Sequence, residues 1–345
     1  MRRTLRRRLR IGTACGAVTA ATIMLAACSS SGKASSSSST SSAASSSTAG
    51  VIYVIGYQQN NAFWATEGKG AGEAGQILGV TVHYEAPTTS SDAGMISLID
   101  AAIATHPYGI AIDYTDKTME APVQRALAAG IKVVLYNNNR FEAQAGGATT
   151  NPAVTNLAYV GQDEHLSGSV LGRAFLSELP GHGTVLIVNP FAEAFVLTLR
   201  YDGVKSVLQQ AGYKTDLLVV NGNDPEASVE ATIGAYLQAH KGIVGVVGLG
   251  DPGASPATRY IDQHGMKIPV ATFDIDTETY GLMRANRDEK LALDQQPFLQ
   301  GYYAVQDLAF ELKFGFQPVS VNTGTFLVTP GNISVLGKLV SEGWD

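Results

Sequence analysis

From residue 51 onward the chain alternates between short apolar runs and segments of helical periodicity, with little between them. VIYVIGY (51–57), VTVHYEA (80–86), GIAIDY (109–114), IKVVLYN (131–137) and LAYVG (157–161) read as strands. So do TVLIVN (184–189), KTDLLVV (214–220), GIVGVVGLG (242–250), PVATFDI (269–275) and KLALDQQ (290–296). Residues 68–78, 92–105, 118–129, 164–179, 194–211, 226–240, 255–264 and 277–286 repeat apolar positions at helical spacing. A last helix over 297–314 precedes the closing run TFLVTP. Strands this short and continuously apolar are covered on both faces, which is the pattern of parallel sheets wound with crossover helices. They are too many for one compact sheet, and the rhythm falters around 140–157. The expected fold class is α/β, with two doubly wound parallel-sheet lobes.

In such sheets ligands bind beyond the carboxyl ends of the strands. The residues there are 57–64, Asp113, Asn137, Asn138, Gln162, Asp163, Asn189, Gly250, Asp251, Asp274 and Gln295. Most are Asp, Asn or Gln, none is Lys, and no pair forms an evident acid/base dyad. Each alone suits an ordinary turn. Their recurrence at nearly every strand end points instead to hydrogen-bonding groups aimed at one place. LYNNNR (135–140) poses the choice most sharply: Asn139 suits a turn, whereas Asn137 and Asn138 stand where a ligand would lie.

The first fifty residues have another character. MRRTLRRRLR carries six arginines, and an uncharged run over 11–27 ends in small residues. A basic start and a short apolar stretch make 1–27 a secretory signal rather than a membrane span. Residues 29–50 are almost all Ser, Ala and Thr, a flexible tether with a reach of roughly 25 Å. Loss of Cys15 with the signal would leave Cys28 alone, so no internal disulfide is expected and the core must hold the fold. The whole chain has 24 basic and 30 acidic residues; removing the six leader arginines leaves 18 basic ones and a formal charge of −12. That argues against nucleic acid, whose phosphates need clustered Lys and Arg.

The segment LAAC (25–28) resembles the lipobox of bacterial lipoproteins, which would make Cys28 the lipidated first residue and the only membrane attachment. VIYVIGYQQNNAFW, IAIDYTD, VVLYNNN, YVGQDEHLSG, RYDG, GLGD, TFDI and LDQQPFLQG resemble, in order and spacing, the type I periplasmic sugar-binding proteins. The ribose-binding group of ABC-transporter receptors is the nearest comparison, and the likeness runs from residue 51 to the end. It implies two lobes joined by a three-segment hinge crossed near residues 160, 296 and 325. The N-terminal lobe would hold 51–160 and 297–324, and the C-terminal lobe 161–296 and 325–345. A monomeric receptor of this kind needs no cofactor. It closes on a small neutral carbohydrate or polyol and delivers it to an ABC permease and its ATPase.

By that resemblance Asn61, Phe63 and Trp64 match a segment in which rings pack on a sugar face, with Ala62 in place of the usual proline. Asp113, Asp274 and the hinge glutamine Gln295 match polar ligand contacts, and Tyr57 and Gln162 lie beside them. Asp224 and Asp251 match positions in loops of variable length. Two departures bear on the ligand. Asn137-Asn138 stand where ribose and galactose binders commonly have Asp-Arg, and Thr198 stands where a second ligand arginine is common, with Arg200 in a structural slot. A pocket without arginine suits a neutral polyol or sugar and disfavours an anion.

Three other functions compete. Catalysis has little support, because no phosphate-binding glycine loop or nucleophile elbow occurs and the six histidines lack metal-ligand spacing. A sugar-responsive repressor would begin with a helix-turn-helix in place of this leader. The third is a sensory receptor of the same fold, for an autoinducer-2-like, rhamnose-like or nucleoside ligand, reporting to a membrane kinase without transport. VTVHYEAPT (80–88) resembles a stretch of autoinducer-2 and rhamnose receptors but lies away from the ligand crevice and speaks to ancestry rather than ligand.

Overall fold

A computed structural model describes residues 50–138, 151–192, 194–285 and 287–344. The expected signal, the lipobox with Cys28, nearly all of the tether, and Asn139 lie outside the described residues.

Two six-stranded sheets organise the chain. The first has β1 (Val51–Ile55), β2 (Thr81–Glu85), β3 (Gly109–Asp113), β4 (Lys132–Tyr136), β5 (Tyr159–Gly161) and β11 (Val321–Asn322), in the order β11-β5-β4-β3-β1-β2. The second has β6 (Thr184–Asn189), β7 (Lys214–Val219), β8 (Ile243–Gly248), β9 (Val270–Phe273), β10 (Glu289–Asp294) and β12 (Phe326–Val328), in the order β12-β10-β9-β8-β6-β7. Helices α1 (Ala62–Leu78), α2 (Asp92–Ala104), α3 (Glu120–Ala128), α4 (Pro152–Thr155) and α10 (Pro297–Phe314) accompany the first sheet. The second carries α5 (Glu164–Phe175), α6 (Phe195–Gln210), α7 (Glu226–Ala239), α8 (Ala254–Gln263), α9 (Thr277–Arg284) and α11 (Gly337–Glu342). Central strands such as β3 are buried at every position, as a sheet sandwiched between helix layers requires.

Two departures from the sequence pattern have local causes. α1 begins at Ala62, six residues before the expected start, because the side chain of Asn61 accepts from Phe63 N at 2.9 Å and caps it. β12 runs antiparallel to β10, pairing Leu293 with Leu327. β11 reaches the cleft at its carboxyl end, so the strand that follows it into the other sheet has to lead away again. One helix pair in each lobe packs backbone to backbone. A Cβ on Gly301 of α10 would stand 2.0 Å from Glu67 O of α1, and one on Gly203 of α6 would stand 2.3 Å from His165 O of α5.

The chain passes between the sheets three times, after β5, after β10 and after β11. Gln162 fastens these passages together. Its Nε2 donates to Asp294 O at 3.2 Å and to Gly324 O at 2.6 Å, so one amide in the first passage holds the other two. Gln296 Nε2 adds a bond to Thr323 O at 2.6 Å. Among the described residues, no helix is long and apolar enough to cross a membrane.

Candidate ligand-binding cleft

The carboxyl ends of the strands face each other across a cavity with about 420 Å³ of space free of atoms, part of it open to solvent. Tyr57, Asn61, Phe63, Trp64, Asn137 and Asn138 form the wall of the first lobe. Phe191, Ala194, Val196, Leu197, Arg200, Gly250, Asp251 and Asp274 form the wall of the second, and Gln295 enters from the hinge. The backbone is unusual at this rim. Asn137 after β4, Asp274 after β9 and Gln296 after β10 all have positive φ, of 54°, 71° and 57°. Left-handed residues other than glycine are uncommon and concentrate where a side chain must be aimed.

The first wall combines aromatic rings with amides. Tyr57 and Trp64 meet edge to face with centroids 5.5 Å apart, and Phe63 meets Trp64 at the same distance. Behind them Asp113 is fully buried. It accepts from Trp64 Nε1 at 3.3 Å, from Asn137 Nδ2 at 3.1 Å, and from Asn138 Nδ2. Burial pushes its carboxyl up to about 7, against the pull of those three donors.

The second wall is ionic. Arg200 donates from Nε to Glu164 Oε2 at 2.6 Å, from Nη1 to Leu249 O at 2.8 Å and from Nη2 to Gln295 Oε1 at 2.5 Å. Its guanidinium also lies 4.6 Å from the ring centroid of Phe273. Gln295 passes the order on, donating through Nε2 to Asp274 Oδ1, while Asp274 Oδ2 accepts from Asp251 N at 3.2 Å. Burial raises Asp274, opposed by the charge of Arg200. Burial, with Asp276 and Asp274 nearby, raises Asp251 to about 8.

The lobes are closed on each other. Asn61 Nδ2 donates to Asp251 Oδ2 at 3.0 Å, and Phe195 N donates to Thr115 O at 3.3 Å. Outside the cavity, Asn223 accepts from Ser90 N at 3.1 Å and returns a bond from Nδ2 to Ser90 Oγ at 2.7 Å. Phe191 crosses the cleft to lie 5.9 Å from Tyr57 and 6.1 Å from Trp64, centroid to centroid.

Of the expected contacts, Tyr57, Asn61, Phe63, Trp64, Asn137, Asn138, Asp251, Asp274 and Gln295 come together on the lining. Asp113 stands directly behind it, and Gln162 belongs to the hinge. Thr198 is off the lining, because Val196, Leu197 and Arg200 share one side of α6 and Thr198 falls on another. Asp224 is exposed and accepts from Asn221 Nδ2, closing a loop of its own. The expectation of a pocket without arginine is corrected, since Arg200 reaches the lining, neutralised by Glu164. Phe191, Ala194, Val196 and Leu197 carried no sequence signal, because apolar residues at a helix start look like ordinary core. Among the described residues, no group of three or more His, Cys, Asp or Glu is placed to hold a metal ion.

Comparison with known proteins agrees with this architecture. The family described as periplasmic binding protein domain matches residues 52–315. A xylose/arabinose-binding protein of Sulfolobus acidocaldarius is 24% identical over 306 residues, covering 82% of this chain and 71% of that protein. A carbohydrate transporter from Acidothermus cellulolyticus, solved in complex with myo-inositol, is 30% identical. It superposes with a TM-score of 0.75 over 86% of this chain and 99% of its own. A solute-binding protein from Burkholderia graminis, in complex with D-arabinose, shares the fold at 24% identity and a TM-score of 0.72, over 82% of this chain and 96% of its own. The chain belongs to the periplasmic binding protein family, whose members bind solutes rather than catalyse reactions.

Proposed function

We propose that this protein is an extracytoplasmic receptor that captures a neutral sugar or polyol between its lobes and hands it to an ABC-transporter permease. One observation carries the reading: the cavity pairs an aromatic wall with a wall of polar groups held by a buried ion pair. Rings suit the C–H faces of a polyhydroxylated ring, and fixed amides and carboxylates suit its hydroxyls. The neighbours in complex with myo-inositol and D-arabinose support that ligand class. With Arg200 already paired to Glu164, the lining holds no free cation among the described residues to meet an anionic ligand.

Binding would act by population shift, because only the closed arrangement lets a ligand touch both walls. Attachment through a lipid on Cys28, with residues 29–50 as slack, would keep the receptor near its permease. A sensory role for the same receptor differs only in the partner that reads the closed form. A thermal-shift screen over pentoses, hexoses, cyclic polyols, nucleosides and amino acids tests the ligand class. A neutral sugar or polyol should raise the melting temperature. A rise only with an amino acid or nucleoside would overturn the assignment.

A further inference from the structure

Asp113 is not on the cavity lining; it lies one layer behind, at the end of β3, with no exposed surface. In its ionised form Asp113 only accepts hydrogen bonds. Its two oxygens take the Nδ2 groups of Asn137 and Asn138, and Oδ2 also takes the indole N–H of Trp64. The oxygen of an amide lies on the side opposite its nitrogen. Both asparagines are therefore obliged to turn their oxygens away from Asp113, and both line the cavity. Asn138 is 3% exposed, and its Oδ1 is buried with no hydrogen-bond partner among the described residues. A buried acceptor left open in this way is costly unless a donor meets it.

Donors elsewhere on the lining are already engaged. Asn61 Nδ2 is engaged with Asp251, Gln295 Nε2 with Asp274, and Arg200 with Glu164, Leu249 O and Gln295. Each of these nitrogen-bearing side chains already donates to a protein oxygen, and Asn138 Oδ1 is the buried lining acceptor left without a partner among the described residues. We infer that Asp113 is a positioning residue: by fixing the amide orientations of Asn137 and Asn138 it selects a carbocyclic polyol, whose polar groups can all donate, over a pyranose of equal size, whose ring oxygen only accepts. This rests on the neutral-ligand reading given above and narrows it to one class.

The test compares myo-inositol with D-glucose by calorimetric titration, at about pH 8.5 so that Asp113 is ionised, of the purified protein and of Asp113→Asn. The wild type should bind myo-inositol about tenfold more tightly or better, the order of one hydrogen bond met against one lost. In Asp113→Asn the new side chain has a single accepting oxygen. One asparagine then turns its oxygen inward and presents its NH₂ to the cavity. The preference should narrow by about tenfold while cooperative melting is kept. A parallel loss for both ligands, or an unchanged ratio, would overturn the inference and leave Asp113 a structural residue. If neither compound nor any other neutral polyol or sugar binds the wild type, the proposed function fails first and takes this inference with it. Should Asp113→Asn lose cooperative melting, Asn138→Ala carries the test, because it removes the open acceptor and leaves Asp113 in place. Myo-inositol should then weaken by about tenfold and D-glucose less; equal weakening contradicts the inference.

Discussion

On the first lobe's wall, Asn137 and Asn138 lean on Asp113; across the cleft, Asp274 leans on Gln295 and, through it, on the Arg200–Glu164 pair. The two walls solve one problem by opposite means. Each must keep largely buried polar groups in fixed orientations, where an unsatisfied group costs free energy. The amide wall uses one buried carboxylate as a common acceptor, so its weak point is orientation. The ionic wall uses a buried ion pair as an anchor, so its weak point is charge balance. Damage to the first should change what is bound; damage to the second should change whether the lobe holds together.

The largest effect should follow from breaking the ionic anchor. Arg200 and Glu164 are 3% and 1% exposed, and removing one partner leaves the other charge buried and unpaired. Arg200→Ala should lower stability by about 3–5 kcal/mol in urea unfolding and should also slacken Gln295. A loss near zero would mean that the anchor is not one.

Next comes pH. Burial raises Asp113 to about 7, Asp251 to about 8 and Glu289 to about 8, all above their unfolded values. Between the unfolded and folded values the native state binds more protons than the unfolded state. Stability from these groups is therefore present at low pH and is lost as pH rises from about 4 to 8. The melting temperature without ligand should be higher at pH 5.5 than at pH 8, and the difference should shrink in Asp113→Asn. A rise in melting temperature over the same interval would contradict the assignment of buried, proton-holding carboxylates.

The smallest effect concerns a contact that belongs to neither wall. Ser90 and Asn223 join the lobes outside the cavity, so they favour closure without touching the ligand. Ser90→Ala should weaken binding by about two- to tenfold, the worth of one hydrogen bond, with no change in ligand preference. A changed preference would mean that closure and selection are not separable as the two walls suggest.

The sequence carried the fold further than it carried the site. Runs such as Ile131 to Leu135 and the apolar GIAID of β3 can be little other than buried strands, and the tally of such runs required two sheets. The start of α1 was hidden because the small residues from Gly68 onward are the more regular signal, while Asn61 reads as turn or cap until its neighbour is known. Asn61, Phe63, Trp64, Asn137 and Asp274 were legible because strand ends in such sheets converge. Arg200 was read as structural because its spacing places it in a helix, and a helix seen alone does not show that one of its faces turns to the cleft. Gln162 looked like a ligand contact for the converse reason: it follows a strand, but that strand leads into the hinge.

The most direct test of the account is a calorimetric titration of the wild type and of Asp274→Ala with the neutral sugar or polyol that gives the largest thermal shift. Asp274 is the point where Gln295 and the backbone of Asp251 meet at the cavity. The account predicts saturable binding of one ligand per wild-type molecule and no measurable heat with Asp274→Ala, while the variant still melts cooperatively. Undiminished binding by Asp274→Ala would place the ligand elsewhere and contradict the account.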